Sequence, residues 1–248
     1  MRSCEKADIR VLVMFCEETR RRGQMSEVSV ATEEYLEGIF RLQEKKGVAK
    51  TSDIAELLRV VGGTVTNTVE RLEKEDYVVH EPYKGVKLTE KGLRIALQVI
   101  RRHRLSERLL TDFMHVEWYK VHEVACKLEH GLADEIIEPL EEALGHPKTC
   151  PHGNPIPTKG GKILKIRSRP LASMKEGEQG TIVKITDENV DLLHYLDIQG
   201  LTPGVSVKVL ERAPFNGPTT LRIGRVSRSV SQAIASIIQV KRTAWKKG

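Results

Sequence analysis

The chain has only four cysteines in 248 residues, Cys4, Cys16, Cys126 and Cys150, and no two of them form a Cys-x-x-Cys pair. Thiols scattered in this way do not build a disulfide framework, so the spacing fits a reducing, cytoplasmic setting. Long apolar runs are also lacking. Val11 to Cys16 and Ala233 to Ala235, the latter followed by Ile237 and Ile238, fall far short of the roughly 20 residues that cross a bilayer, and no membrane partner is expected. A secretory leader is not legible. The early apolar stretch runs into Arg20, Arg21 and Arg22 rather than a small-residue cleavage site.

What is present is a chain 40% apolar and 30% charged, with net charge +6 and pI ≈ 9.1. That length and apolar content support one or two buried cores, divided into two or three modules. A mild basic excess attracts polyanions but does not identify one.

Residues 1–31 read as an N-terminal extension, with a short helix possible over Arg10 to Arg22 and Met25 as an alternative start. From Thr32 the pattern is helical: Tyr35, Leu36, Ile39, Phe40 and Leu42 recur at helical spacing up to Gly47. Thr51 or Ser52 reads as the cap of a second helix, Gly62-Gly63 as its break, and Thr64 as the start of a third. Tyr77 to Val79, a turn at Lys84-Gly85, then Val86 and Leu88 predict a small hairpin. This order is a winged helix-turn-helix over 32–94. Helices are then expected from Glu90 to about Phe113, Lys120 to His130 and Asp134 to Leu144, placing a helical module at 95–150. Residues 151–174, rich in Pro, Gly and Lys, read as a linker. Thr181 to Ile185, Val205 to Leu210 and Thr220 to Ile223 alternate like strands, with a brief helix near Ser231, so 175–248 reads as a small β-barrel. The fold class is mainly α with a small β component.

Two groups of residues carry chemistry. Thr64, Thr66, Asn67 and Arg71 lie off the apolar face of the third helix, where side chains can reach base edges and phosphates, and the hairpin offers Lys84 and Lys87 to the backbone. Within a complete helix-turn-helix-wing order, double-stranded DNA is the expected partner. The second group is metal-ligating. His122, Cys126, Glu129 and His130 fall on one face of one helix. His103 and Glu107, four apart, share a face of the preceding helix. All are ligand types for a first-row transition metal. His80, His115, His146 and His194 are assigned no role.

At these residues the chain resembles the diphtheria toxin repressor family of iron- and manganese-dependent regulators. The likeness covers Thr32 to about Pro157. It is clearest in Arg101-Arg-His-Arg-Leu-Ser-Glu-Arg-Leu-Leu-Thr-Asp and Lys120-Val-His-Glu-Val-Ala-Cys-Lys-Leu-Glu-His, and it extends to Gly153-Asn-Pro-Ile-Pro157. The tail resembles the SH3-like domain shared with ferrous-transport accessory proteins. The resemblance implies a cytoplasmic, homodimeric, metal-activated repressor. Its primary site would use Glu34 with Cys126, Glu129 and His130. Its ancillary site would use His103, Glu107 and His122, with Glu188 and Asp191 added from the SH3-like domain. Glu34 stands where iron-type members have methionine and manganese-type members aspartate, and Glu37 matches a manganese-type ligand. Cys126 and the appended barrel follow the iron type. The implied metal is Fe²⁺, with Mn²⁺ as the alternative and Co²⁺, Ni²⁺ or Zn²⁺ as substitutes in vitro. Gly63 and Asn67 depart from the iron-type proline and glutamine, so a different operator is expected.

Two other classes compete. A hydrolytic zinc enzyme would need a general base, but the His-Glu-x-x-His motif is missing and the carboxylates present are wanted as ligands. A metal-storage module would show no salt-dependent DNA binding. Leu109, Leu110, Phe113 and Trp118 are either dimer contacts or intramolecular core.

Overall fold

The computed structural model describes residues 28–81 and 84–242. The helix expected over Arg10 to Arg22 therefore lies outside the described residues. The chain separates into two compact units, the first ending at Thr89 and the second beginning at Glu90.

In the first unit, helix α1 spans Val30–Lys46. The Ser29 hydroxyl caps it by accepting the Thr32 N–H, and Gly47, at φ 79, closes it in the left-handed region. Helix α2 (Thr51–Leu58) and helix α3 (Gly62–Lys74) follow. The break between them falls at Arg59, whose φ is 54, rather than at Gly62-Gly63. Those glycines form the first turn of α3, where the N–H groups lack intrahelical partners in any sequence. Val65, Val69 and Leu72 bury one face of α3. Strands β1 (Val78–Glu81) and β2 (Gly85–Leu88) pair antiparallel as the wing. The second strand also bridges from Val86 to Ala49.

In the second unit, helix α4 (Glu90–Asp112) runs beside α5 (Val121–Leu128), which tightens into a 3-10 turn over Glu129–Gly131, and α6 (Asp134–Ala143) follows. Leu110 packs with Val121 and Ala125, so its role is intramolecular, whereas Phe113 is 57% exposed. The start of the expected linker is ordered. Ile156 N–H donates to the Lys148 carbonyl and Cys150 N–H to the Asn154 carbonyl, both at 2.9 Å, closing a tight hairpin over 148–156.

The C-terminal module is a six-stranded antiparallel sheet in the order β3-β8-β4-β5-β6-β7. The strands are β3 (Arg169–Pro170), β4 (Gln179–Ile185), β5 (Ser206–Arg212), β6 (Thr219–Ile223), β7 (Val226–Val230) and β8 (Ile238–Arg242). Helix α7 (Val190–Gln199) sits between β4 and β5, and α8 (Gln232–Ile237) precedes β8. The core includes Leu171, Ile182, Leu193, Leu196 and Leu221. Trp118 and Tyr119 pack against it, and the Trp118 indole donates to Asp197 Oδ1 at 2.6 Å. Trp118 thus joins this module to the helices. Among the described residues, no helix is long and apolar enough to cross a membrane.

Candidate metal centre and nucleic-acid interface

Helix α4 places His103 and Glu107 one above the other on one face, both fully buried. Around them the fold gathers side chains from three further places. His103 Nε2 lies 3.2 Å from Glu107 Oε1 and 3.1 Å from Nδ1 of His122 on α5. His122 Nδ1 is also 3.4 Å from Glu107 Oε1 and 3.2 Å from Oε2 of Glu188, on the loop between β4 and α7. Cys126 Sγ lies 3.9 Å from His122 Nε2 and 4.0 Å from His103 Nδ1. The 148–156 hairpin supplies Cys150 and His152, and His152 Nδ1 is 3.2 Å from Glu107 Oε1.

Three overlapping sets result, each with ligand atoms within 4.8 Å of one another: His103-His122-Cys126, His103-Glu107-His122-Glu188, and Glu107-Cys150-His152-Glu188. Glu107 and Glu188 are common to the last two. Glu107 Oε1 faces the histidines, while its Oε2 is buried with no hydrogen-bond partner among the described residues. A buried carboxylate oxygen left bare costs free energy unless something cationic meets it. Carboxylate, imidazole and thiolate donors around such an oxygen suit a divalent transition metal.

The electrostatics describe protons held where a metal would sit. Burial alone would lower the imidazoles, but the neighbouring carboxylates and thiols outweigh it. His122 is pushed up to about 9 and His152 to about 11, while His103 lies well above its ordinary range. Burial alone would raise the Glu107 carboxyl, yet the charge and hydrogen bonds of His103, with His122 and His152, hold it well below the usual range. Burial opposes the Cys126 thiolate too, and His103 and His122 still bring that thiol down to about 7. Burial, then the Glu107 charge, pushes the Cys150 thiol up.

Of the residues singled out from sequence, His103, Glu107, His122, Cys126 and Glu188 come together here. Glu129 adjoins them, its Oε2 2.6 Å from His103 Nδ1 and its Oε1 3.3 Å from His130 Nε2. Because Glu129 and His130 lie on the 3-10 turn, they do not simply continue the α5 face that carries His122 and Cys126. Asp191 is exposed in the first turn of α7 and joins none of the sets. Glu34 is exposed on α1, and the neighbouring Glu37 is buried and paired with Arg41 at 2.8 Å. Cys150 and His152 escaped the sequence reading because a Pro- and Gly-rich stretch reads as linker. The available signal was a thiol and an imidazole two residues apart, both ligand types for a transition metal.

On α3, Thr64, Thr66 and Asn67 are exposed. Arg71 is committed locally, donating to Glu75 and, at 3.2 Å, to Thr32 Oγ1. The wing lysines Lys84 and Lys87 both pair with Glu81 at 3.1 Å.

Three family profiles match successive parts of the chain. Residues 27–86 match the N-terminal DNA-binding domain of the iron dependent repressors. Residues 89–158 match their metal binding and dimerisation domain, and residues 169–242 match the FeoA domain. The iron-dependent repressor IdeR of Mycobacterium tuberculosis is 30% identical over 230 residues, covering 88% of this chain and 100% of its own. The diphtheria toxin repressor of Corynebacterium glutamicum is 40% identical over 151 residues, covering 61% of this chain and 66% of its own. Among solved structures, a manganese-dependent transcriptional repressor in complex with manganese superposes with TM-score 0.79 at 30% identity, covering 86% of this chain and 100% of its own. That coverage cannot be reached without the C-terminal module, so the barrel does not mark an iron-type protein as the sequence suggested. By the profiles that cover its described units and by full-length likeness to IdeR, the chain belongs to the iron-dependent repressor family.

Proposed function

We propose that the chain is a metal-activated transcriptional repressor that binds operator DNA as a homodimer and controls metal-homeostasis genes in the cytoplasm. The observation that carries this reading is the bare buried Oε2 of Glu107 amid imidazole and thiol donors, in the same chain as an exposed α3 face and wing. The exposed apolar side chains of Phe113, Met114, Val124 and Ile136 support a second copy packing on the helical module. The ligands of the cluster are His103, Glu107, His122, Glu188, Cys150 and His152. Cys126, Glu129 and His130 form the activating set, which Glu34 of the reading head completes. A metal shared by Glu34 and the helical ligands restricts the orientation of the head, so that two symmetric α3 helices meet successive major grooves. Operator DNA then tightens metal binding by the same factor.

Fe²⁺ is the proposed metal, because both Cys126 and Cys150 offer a thiolate, which suits Fe²⁺ better than Mn²⁺. Mn²⁺ is the second reading, favoured by the carboxylates Glu34 and Glu37 and by the likeness to a manganese-dependent repressor. A hydrolase is disfavoured, since the cluster carboxylates face imidazoles and an amide as metal ligands would, and no His-Glu-x-x-His motif accompanies them.

The test is anaerobic titration of DNA binding with Fe²⁺, Mn²⁺, Co²⁺ and Zn²⁺, using a duplex selected from random sequence by the loaded protein. Binding should appear only with metal and disappear in Glu34→Ala and Cys126→Ala. Equal metal response in those variants and the parent refutes the linkage. Metal-independent binding refutes the function.

A further inference from the structure

Helix α4 carries two of the cluster's ligands itself, and two arginines on the same helix hold the hairpin that brings two more. Arg101, only 6% exposed, donates from Nη1 to the Pro157 carbonyl at 2.9 Å and from Nη2 to Glu141 Oε2 on α6 at 2.5 Å. One turn further along, Arg104 Nη1 donates to the Pro155 carbonyl at 2.5 Å. Pro155 and Pro157 are alternate residues of one limb, so their carbonyls offer two acceptors along one edge.

That limb is not free to move independently of the ligands. It belongs to the hairpin closed by Ile156 N–H to Lys148 O and Cys150 N–H to Asn154 O, with a further bond from Gly153 N–H to Cys150 O, all at 2.9 Å. Fixing the limb therefore fixes the tip, and the tip carries Cys150 and His152. Apolar packing alone would not do this. Ile156 clusters with Leu105 and Ile137, which holds the hairpin against α4, but such attraction is non-directional. The guanidinium hydrogen bonds supply direction. A guanidinium as buried as that of Arg101 is tolerated only when paired, and its pairing here is to α6 and to this limb.

We infer that Arg101 and Arg104 are positioning residues that set where the Cys150 thiol and the His152 imidazole stand relative to Glu107. They thereby govern the coordination geometry of the Glu107-Cys150-His152-Glu188 set. This rests on the reading of that set as a metal site.

The experiment uses the full chain with Cys4, Cys16 and Cys126 changed to Ser, so that Cys150 supplies the thiolate, loaded with Co²⁺ anaerobically. The near-ultraviolet thiolate-to-cobalt band reports Cys150 ligation, and the visible bands report geometry. Arg101→Gln and Arg104→Gln are expected to weaken the thiolate band and lower Co²⁺ affinity about 10–100-fold. Arg101→Lys and Arg104→Lys should recover part of both. A merely structural role would lower the melting temperature and leave the band unchanged, which overturns the inference. If Arg101→Gln loses its helical circular dichroism, the half-buried Arg104→Gln decides alone. If the parent shows no thiolate band, the metal-site reading fails and carries this inference with it. A parent band untouched by the arginine variants overturns this inference only.

Discussion

His152 donates its Nε2–H to the Trp118 carbonyl at 2.8 Å, which leaves Nδ1 facing Glu107 Oε1 at 3.2 Å. A carbonyl can only accept, so the backbone of Trp118 fixes which ring nitrogen is available as a ligand. The same Trp118 donates its indole N–H to Asp197 and packs on the barrel core. Orientation of a ligand ring and docking of the barrel thus meet in one residue. His152→Ala is expected to weaken Co²⁺ or Mn²⁺ binding about 10–100-fold, measured by competition with a fluorescent chelator. It should also speed amide exchange in α7. An affinity within about twofold of the parent would remove His152 from the ligand set.

Metal affinity should fall steeply in acid. With His122 pushed up to about 9 and His152 to about 11, both rings carry protons at neutral pH, and a metal must displace them. The raised Cys150 thiol adds a third proton. Between about pH 6.5 and 8.5, log affinity should therefore rise by two to three per pH unit, about one for each proton displaced. Calorimetry in buffers of different ionisation enthalpy should count those protons directly. The metal-free protein should behave oppositely. The folded value for His122 lies above its unfolded one, so its contribution to stability is full below about 6.5 and is lost as pH rises through about 9. The melting temperature without metal should decline across that window, and a flat profile would argue against the buried proton network.

Gly153 places the hairpin backbone directly against β4. Its φ is +85, and a Cβ there would stand 2.0 Å from the Val183 carbonyl oxygen. Val183 is the bulged residue where the pairing of β4 with β8 shifts register. Beside it, Ile185 N–H donates to the His152 carbonyl at 2.9 Å. Gly153→Ala cannot be absorbed by rotating a side chain, because the obstacle is backbone. A loss of about 1–3 kcal/mol is expected in urea denaturation, of the size seen for overpacking, together with weaker metal binding through displaced His152. A variant as stable as the parent, with unchanged affinity, would show that this contact is dispensable.

Local periodicity and capping made much of this architecture readable. The i, i+4 pair His103 and Glu107 was visible as a shared face, as were Val65, Val69 and Leu72 of α3. What escaped notice depended on pairing across distance or on misleading composition. Pro151, Gly153, Pro155 and Pro157 suggested a linker, yet buried arginines and a closed hairpin order that stretch. Helix α7 is not among the elements the sequence pattern predicts, although Asn189, which caps it through its side chain, and Gly200, at φ 69, frame it. Strand β7 (Val226–Val230), at the sheet's edge, carries only two apolar residues, one at each end, and buries only Val230. The convergence of α4, α5, the hairpin and the β4–α7 loop on Glu107 is a tertiary fact that no single window contains.

The α3 face and the wing should separate by the kind of DNA contact each makes. Asn67 is exposed and suited to a bidentate contact with adenine, so Asn67→Ala should cost about 1–3 kcal/mol on a selected duplex and little on random DNA. Lys87 pairs with Glu81 on the exposed wing and can exchange that partner for phosphate. Lys87→Ala should weaken selected and random duplexes alike and reduce the salt slope by about one per protomer. Arg71 should behave differently from both, because its guanidinium already bridges Thr32 on α1 to Glu75. Arg71→Ala is expected to lower the stability of the first unit more than the salt slope. Fluorescence anisotropy over a salt series, paired with thermal melts, distinguishes the three. If Arg71→Ala instead reproduces the Lys87→Ala slope with no loss of stability, Arg71 is a phosphate contact and its bridge to Thr32 is incidental.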